Sequence, residues 1–328
     1  MAAKLLLFIR IKEFFNEIFD FFHKKLCRSP YFHYLCGQKA TIMAWYTKYL
    51  SIYEKPFSEV PQDIVSSTRE RLAAMQSDTP LVSIVVIAYN EEKHLQACLW
   101  ALSEMKCSYP VEIIGVDNDS KDRTAEIFKQ SGIPYYTEYE HSCGYARRCG
   151  LRNAKGKFYF DIDADTIYPP TYVDIMMKKL LTPGVSCVSS LWSYFPDNNH
   201  SWLGLKLFEA CRDAFLYVQH FKRPELSVRG LVFAYNAEYA RNEEYRVDII
   251  RGEDGSMALS LKKYGRIAFV YNRKARAITG YGTLTSESLL SSFWKRIKIQ
   301  TRGISRIFFK TDHYDDSDDN IVKPREHP

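Results

Sequence analysis

Between residues 81 and 163, strand-length apolar runs alternate with helix-period segments, and this alternation restricts the fold more than any other feature. Residues 81–89 (LVSIVVIAY) read as a buried strand. Residues 92–105 place Leu95, Cys98, Leu99 and Leu102 on one helical side. A second strand over 111–116 ends in Asp117. A helix over 122–130 is expected to start from a capping Ser120 and to close near Gly132. A short strand over 134–139, a helix over 143–154 and a strand over 157–163 follow. This order predicts a mostly parallel sheet covered on both faces. Ligands on such sheets bind beyond the carboxyl ends of the strands, and Tyr89, Asp117 and Asp163 all fall at those ends.

The last of these strands ends in Asp161, Asp163 and Asp165 before Pro169 and Pro170. Acids that terminate a buried strand are costly unless a cation or hydrogen-bond donors offset them. Alternation along a strand lets Asp163 and Asp165 point the same way. Two such carboxylates suit a hard divalent cation, Mg²⁺ or Mn²⁺, although capping aspartates in an acidic turn produce the same pattern. Tyr89-Asn90-Glu91 can stack on a base and hydrogen-bond base or ribose, or can form a strand-to-helix turn. Asp117 is placed to bind a ribose hydroxyl or a pyrimidine imide. The chain has no Gly-x-Gly-x-x-Gly and no Gly-Lys-Ser/Thr phosphate loop, which weighs against nicotinamide and P-loop folds.

The chain has 328 residues, 46% of them hydrophobic, enough for one large domain or two packed lobes. Its formal charge is +6 despite a strongly acidic stretch at 312–319, so the body is more basic than the total. A basic body suits nucleic acid, an anionic membrane or a phosphorylated substrate. Eight cysteines form no Cys-x-x-Cys pair, which predicts reduced thiols in a cytosolic protein. No secretory signal and no membrane-spanning run is predicted. Residues 3–26 carry Phe8, Ile11, Phe15, Ile18 and Phe22 at steps of three and four, predicting an amphipathic helix. Residues 293–310 interleave six Lys and Arg with apolar residues that include Phe293, Trp294, Ile297, Ile304, Ile307, Phe308 and Phe309. Each element suits either a membrane surface or packing on the protein's own core.

Four blocks together resemble family 2 glycosyltransferases of the GT-A fold. They are SIVVIAYNEE (83–92), VDNDSKDRT (116–124), ARRCGLRNAKGKFYFDIDADT (146–166) and RGEDGSMALSLKKYG (251–265). The resemblance implies an α/β fold with a single, mostly parallel central sheet flanked by helices. A Rossmann-like nucleotide-binding half is joined to an acceptor half, with amphipathic helical extensions at both ends. The implied divisions are an extension over 1–54, a linker over 55–80 with room for a short helix, the donor half over 81–190 and the acceptor half over 191–284. A basic amphipathic segment over 285–311 and an acidic tail over 312–328 complete the chain. Ala88, Tyr89, Glu91, Asp117 and Arg147 correspond to residues that hold the nucleotide. Asp163-Ala164-Asp165 corresponds to the DXD motif, with Asp165 the direct ligand of Mg²⁺ or Mn²⁺ and Asp163 in support. Glu253-Asp254 corresponds to the acidic pair whose Asp is the catalytic base.

The implied activity is inverting transfer of one sugar from a nucleotide-diphosphate sugar, expected to be a UDP-sugar, to a hydroxyl of a glycan or lipid-linked acceptor. Alternatives are transfer to a polyprenyl phosphate, a nucleotidyltransferase of related architecture, and a catalytically silent membrane-associated binding protein. No nucleic-acid partner is implied. The expected place is the cytoplasm, peripheral at the inner face of the cell membrane. Three departures stand out: Arg148 replaces the family's usual Asn, no His occurs at 278–282, and the Gln-x-x-Arg-Trp motif of processive synthases is missing. Single addition is therefore expected. Trp192, Tyr194, Trp202 and Phe208 are candidates to stack on acceptor sugars, and Arg229-Gly230 to lie beside the acceptor.

Overall fold

The computed structural model describes residues 45–196 and 202–280. The amphipathic segments at 3–26 and 293–310 and the acidic tail lie outside the described residues. The chain divides into two compact units, one holding Trp45–Phe195 and Phe215–Thr283 and the other including Pro196–Ala214. In the latter, Leu205 and Phe208 are buried, and Lys206 pairs with Glu209 at 2.8 Å.

The larger unit is built on a seven-stranded sheet. In chain order its strands are β1 (Val82–Ala88), β2 (Val111–Asp117), β3 (Tyr135–Thr137), β4 (Phe158–Asp163), β6 (Val185–Ser190), β8 (Phe233–Asn236) and β9 (Arg266–Val270). Their spatial order is β3-β2-β1-β4-β8-β6-β9. Strands β3, β2, β1 and β4 pair in parallel, whereas β8 runs antiparallel to both β4 and β6. Every residue of β1 and β2 is buried, as expected of parallel strands covered on both faces. The register sets Ala88 beside Asp117 and Ile87 beside Asp163, bringing three strand ends to one level.

Five helices shape the unit around the site: α1 (Gln62–Met75), α2 (Leu95–Ser103), α3 (Thr124–Ser131), α4 (Cys143–Asn153) and α5 (Tyr172–Leu180). Helix α1 falls in the stretch read as a linker. Its Val65, Thr68 and Leu72 are buried, and the following Gln76 side chain exchanges two hydrogen bonds with the Ile113 backbone of β2. The prolines that suggested a connection instead flank the helix, with Pro61 just before its first residue, where a missing N–H costs nothing. Helix α3 closes at Gly132, whose φ of 74° is left-handed. Its start differs from expectation. The Asp122 side chain accepts from the Thr124 N–H, while Ser120 accepts from the Asn90 N–H. Helix α4 is capped by Ser142, which accepts from the Tyr145 N–H.

A small second sheet, β5 (Thr166–Ile167), β10 (Ala277–Thr279) and β7 (Trp192–Tyr194), supplements the expected single sheet. Tyr49, Ile52, Tyr53, Ile167, Phe195 and Ile278 form its core. Trp192 and Tyr194 are buried rather than presented to an acceptor. The remaining helices are α6 (Trp202–Lys222), α7 (Ala237–Arg241) and α8 (Glu253–Leu261), the last two following β8.

Candidate active site

Asp161 and Asp163 are two residues apart on β4 and so share a face. Both meet Arg147 of α4. Its Nη1 lies 3.1 Å from Asp161 Oδ1, its Nη2 2.9 Å from Asp163 Oδ1 and its Nε 2.8 Å from Asp254 Oδ1. The Asp163 contact is aligned as a hydrogen bond, whereas the other two are ion pairs by distance without that alignment. Arg147 is 2% exposed. One planar guanidinium thus gathers three carboxylates from β4 and α8. Arg147 was expected to hold nucleotide, but in this structure its three nitrogens face acids of the protein itself.

Three carboxylates exceed one guanidinium in charge, and burial sharpens the imbalance. Burial pushes Asp161 up to about 8, against the opposing pull of Arg147. Tyr245 donates to Asp161 Oδ2 at 2.8 Å, and its own oxygen lies 3.0 Å from that of Tyr235. Burial and repulsion by Asp254 bring Glu253 up to about 7. Asp254 is also raised by burial, with Arg147 and a hydrogen bond from the Gly230 backbone opposing. Glu253 and Asp254 occupy the first turn of α8, where the helix dipole favours their charge. Gly230 fits closely against this group. A Cβ there would stand 2.5 Å from Asp254 Oδ2 and 2.6 Å from Arg147 Cζ.

Asp165 lies in the turn after β4. Burial, then the charges of Asp163 and Glu91, push it up to about 7. Thr166 Oγ1 donates to its side chain at 2.9 Å, and the Tyr53 hydroxyl donates to its backbone carbonyl at 2.8 Å. Tyr53 packs on His94 at 4.6 Å between ring centroids. His94 Nδ1 stands 2.6 Å from Glu91 Oε2, so the Glu91 carboxylate is engaged. Burial lowers the His94 pKa, but Glu91 and Glu54 outweigh it and raise the value overall. Among the described residues, no three His, Cys, Asp or Glu side chains form a group able to hold a metal ion by themselves. The donor set of Asp163 and Asp165 is nevertheless chemically suited to a hard cation, because half-buried Asp165 faces the like charges of Asp163 and Glu91, which a cation would relieve.

The loops after β1 and β2 are latched together. The backbone N–H groups of Asn90, Glu91 and Glu92 donate to Ser120, Thr124 and Asp122 respectively. Asn90 returns a contact by accepting from the Lys121 N–H. Asn90 and Asp119 adopt left-handed φ of 54° and 55°, which Asn and Asp tolerate best among residues with a Cβ. Ala88 is buried at the strand end, Asp117 is buried and accepts from the Ser120 N–H, and Tyr89 is half exposed beside His141. Ala88, Asp117 and Asp163 therefore end neighbouring strands at one level, with Tyr89, Glu91 and Asp165 in the turns that follow and Asp254 joined to Asp163 through Arg147. Sequence reasoning missed Tyr53, Tyr245 and the engagement of Asp161. Only the three-acid spacing hinted at the last of these.

A parallel sheet with acids and a latched double loop at its carboxyl edge, joined to an antiparallel strand and an acidic helix start, defines the GT-A class of fold. The chain belongs to glycosyl transferase family 2, whose family model matches residues 83–252. It is 33% identical over 105 residues to an uncharacterized glycosyltransferase of Rickettsia prowazekii, a match covering 31% of this chain and 32% of that protein. Over 123 residues it is 34% identical to glycosyltransferase AglE of Haloferax volcanii, covering 35% of this chain and 40% of that protein. These matches thus span about a third of the length of such relatives. Among solved structures, the fold is similar to a mannosyltransferase from Pyrobaculum calidifontis in complex with GDP-Man and Mn²⁺. The TM-score is 0.51 at 17% identity, covering 78% of this chain and 76% of that one.

Proposed function

We propose that this protein is an inverting glycosyltransferase that moves one sugar from a nucleoside-diphosphate sugar to an acceptor hydroxyl. The observation that carries the reading is the Arg147 cluster, which ties the DXD acid Asp163 to the candidate base Asp254. Donor and acceptor chemistry would meet at this shared guanidinium. The latched loops carrying Tyr89, Glu91 and Asp117 form the platform for the nucleotide. A base is needed when a hydroxyl attacks but not when a phosphate does, so the position of Asp254 favours glycosyl over nucleotidyl transfer.

In the proposed reaction the acceptor hydroxyl gives its proton to Asp254 as its oxygen bonds to the anomeric carbon. The bonding pair of the sugar–phosphate link leaves with the diphosphate on the opposite face, which inverts the centre. A raised base pKa improves proton acceptance, and general bases typically contribute about 10²–10⁴-fold. Arg147 keeps Asp254 oriented and limits the rise in its pKa. A divalent cation held by Asp163 and Asp165 supplies electrostatic stabilisation of charge on the leaving diphosphate when bound. The donor is proposed to be a UDP-sugar and the acceptor lipid-linked. The apolar and basic composition of 3–26 and 293–310 supports peripheral membrane attachment.

The test is thermal unfolding with UDP, GDP and their sugars, with and without Mn²⁺, followed by transfer assays with Asp254→Asn. The expected results are stabilisation by a nucleoside diphosphate with Mn²⁺, and a variant that binds nucleotide but loses about 10²–10⁴-fold in turnover. Normal turnover by Asp254→Asn removes the base assignment.

A further inference from the structure

The last two turns of α6 are amphipathic in reverse. Leu216 and Gln219 point inward, with Gln219 accepting from Ser227 Oγ at 2.9 Å, while Tyr217, Val218 and Phe221 are 49%, 64% and 66% exposed. A surface helix ordinarily presents polar residues to water on that face. The exposed residues are also contiguous with a neighbouring strand end. Tyr217 packs edge-on to Phe221 at 5.1 Å and to Tyr271 at 5.4 Å, and Tyr271 is itself 40% exposed. Apolar side chains scattered singly need no explanation, but a joined aromatic patch marks an interaction surface.

The surroundings of the patch are basic. Lys222 follows Phe221 on the helix and is exposed. Lys178 and Lys179 end α5, and the Lys179 charge adds to burial in lowering the pKa of His220. Exposed Arg273 and Lys274 follow Tyr271 in a turn tied to α5, where Thr171 Oγ1 donates to the Lys274 carbonyl at 3.0 Å. The nearest acids in sequence are engaged elsewhere: Asp213, one turn before Tyr217, pairs with Arg212 at 2.8 Å, and Asp174 accepts from Ser108 Oγ at 2.8 Å. Glu225 is buried against Arg223. Aromatic groups bordered by cations, with the nearby acids already engaged, complement an anionic lipid surface. Rings enter the headgroup–acyl boundary while ammonium groups meet phosphate.

We propose that Tyr217, Val218, Phe221 and Tyr271, with Lys179 and Lys222, form an anionic-bilayer contact on the larger unit itself. None of these residues belongs to the two terminal amphipathic segments of the sequence. It deepens the peripheral-membrane reading above and rests on it. Such a contact would hold the catalytic unit at the surface where a lipid-linked acceptor resides.

The experiment is flotation of the full chain with phosphatidylcholine vesicles, with and without phosphatidylglycerol. Wild type is expected to float with the anionic vesicles. Val218→Ser/Phe221→Ser is expected to reduce that partitioning about tenfold, as loss of several buried methylene equivalents predicts. Lys179→Glu/Lys222→Glu is expected to reduce binding to anionic vesicles only. All four side chains are at least partly solvent-exposed, so unchanged melting curves provide the folding control. If wild type stays in the soluble fraction, the membrane reading itself is overturned. If wild type floats and both variants float equally well, only this surface is overturned. If the serine variant instead converts a lipid-free dimer to a monomer, the patch joins two copies of the chain and the lipid assignment fails.

Discussion

Arg147 Nε lies 2.8 Å from Asp254 Oδ1, and both residues are buried. The pair ties α4 to the first turn of α8 through one rigid group. Asp163 at the end of β4 touches the same guanidinium. Displacement of either acid therefore changes the charge felt by the other. The position of Asp163 and the basicity of Asp254 are thus coupled through Arg147.

The close fit of Gly230 gives the first prediction. A Cβ at this position would overlap the Arg147 guanidinium and stand 2.5 Å from Asp254 Oδ2. Neither neighbour can yield without leaving the other, because the ion pair fixes both. Gly230→Ala is expected to lower turnover at least about 10²-fold, since misplaced catalytic groups lose rate steeply. It should also destabilise the fold by about 1–3 kcal/mol, as overpacking does. Transfer kinetics and urea unfolding check both effects, and wild-type values for each would remove the proposed constraint.

How much of this was legible in the sequence depended on chain distance. Strands β1, β2 and β4 announce themselves as apolar runs, and the acids at their ends fall where the parallel register places them. The second sheet could not be read, because strands of two or three residues carry no periodicity. Ser120 looked like a helix cap because Ser favours caps, yet its partner is Asn90, 30 residues away. The family resemblance assigned Arg147 to the nucleotide. Only the convergence of Asp161, Asp163 and Asp254, from distant segments, shows what surrounds it. Tyr53 lay in a stretch read as an extension, 112 residues from the carbonyl it binds.

That Tyr53 contact sets the second prediction. Its hydroxyl donates to the Asp165 carbonyl and its ring packs on His94, so it braces the turn carrying the proposed cation ligand. Tyr53→Phe retains the ring and removes one hydrogen bond. Stability should fall by about 0.5–1.5 kcal/mol. The Mn²⁺ concentration for half-maximal transfer should rise about tenfold, the usual scale for groups that orient ligands. A metal titration of activity tests this, and an unchanged Mn²⁺ requirement would show that the turn needs no brace.

Glu253 makes stability depend on pH. Its folded-state pKa of about 7, raised first by burial, exceeds its ordinary carboxylate value, so between the two the folded protein binds more protons than the unfolded chain. The resulting contribution to stability is full below the unfolded pKa and is lost as pH rises through about 7. Glu253→Gln removes the charge that burial penalises. The variant is expected to gain roughly 1–3 kcal/mol over wild type on going from about pH 5 to about pH 8. Thermal melts at the two pH values decide the matter, and parallel behaviour of the two proteins would place Glu253 in a hydrated setting.

Arg147→Lys separates charge from shape. The substitution keeps one positive charge, but an ammonium cannot present three nitrogens to three acids in a planar fork. Breaking a buried ion pair costs about 3–5 kcal/mol, and retention of the charge should hold the loss toward the lower end. Adding Asp161→Asn removes one acid that needs compensation, and its amide oxygen can still accept from Tyr245, which donates to Asp161 at 2.8 Å. Stability should therefore recover in the double variant. Turnover should not, because Asp254 still lacks its oriented partner. If Arg147 instead acts on the nucleotide, as the family resemblance implies, Arg147→Lys will raise the donor KM more than it lowers kcat, and Asp161→Asn will repair neither. Unfolding energies and the KM–kcat split of the two variants distinguish a clamp on the protein's own acids from a hand on the donor's phosphates.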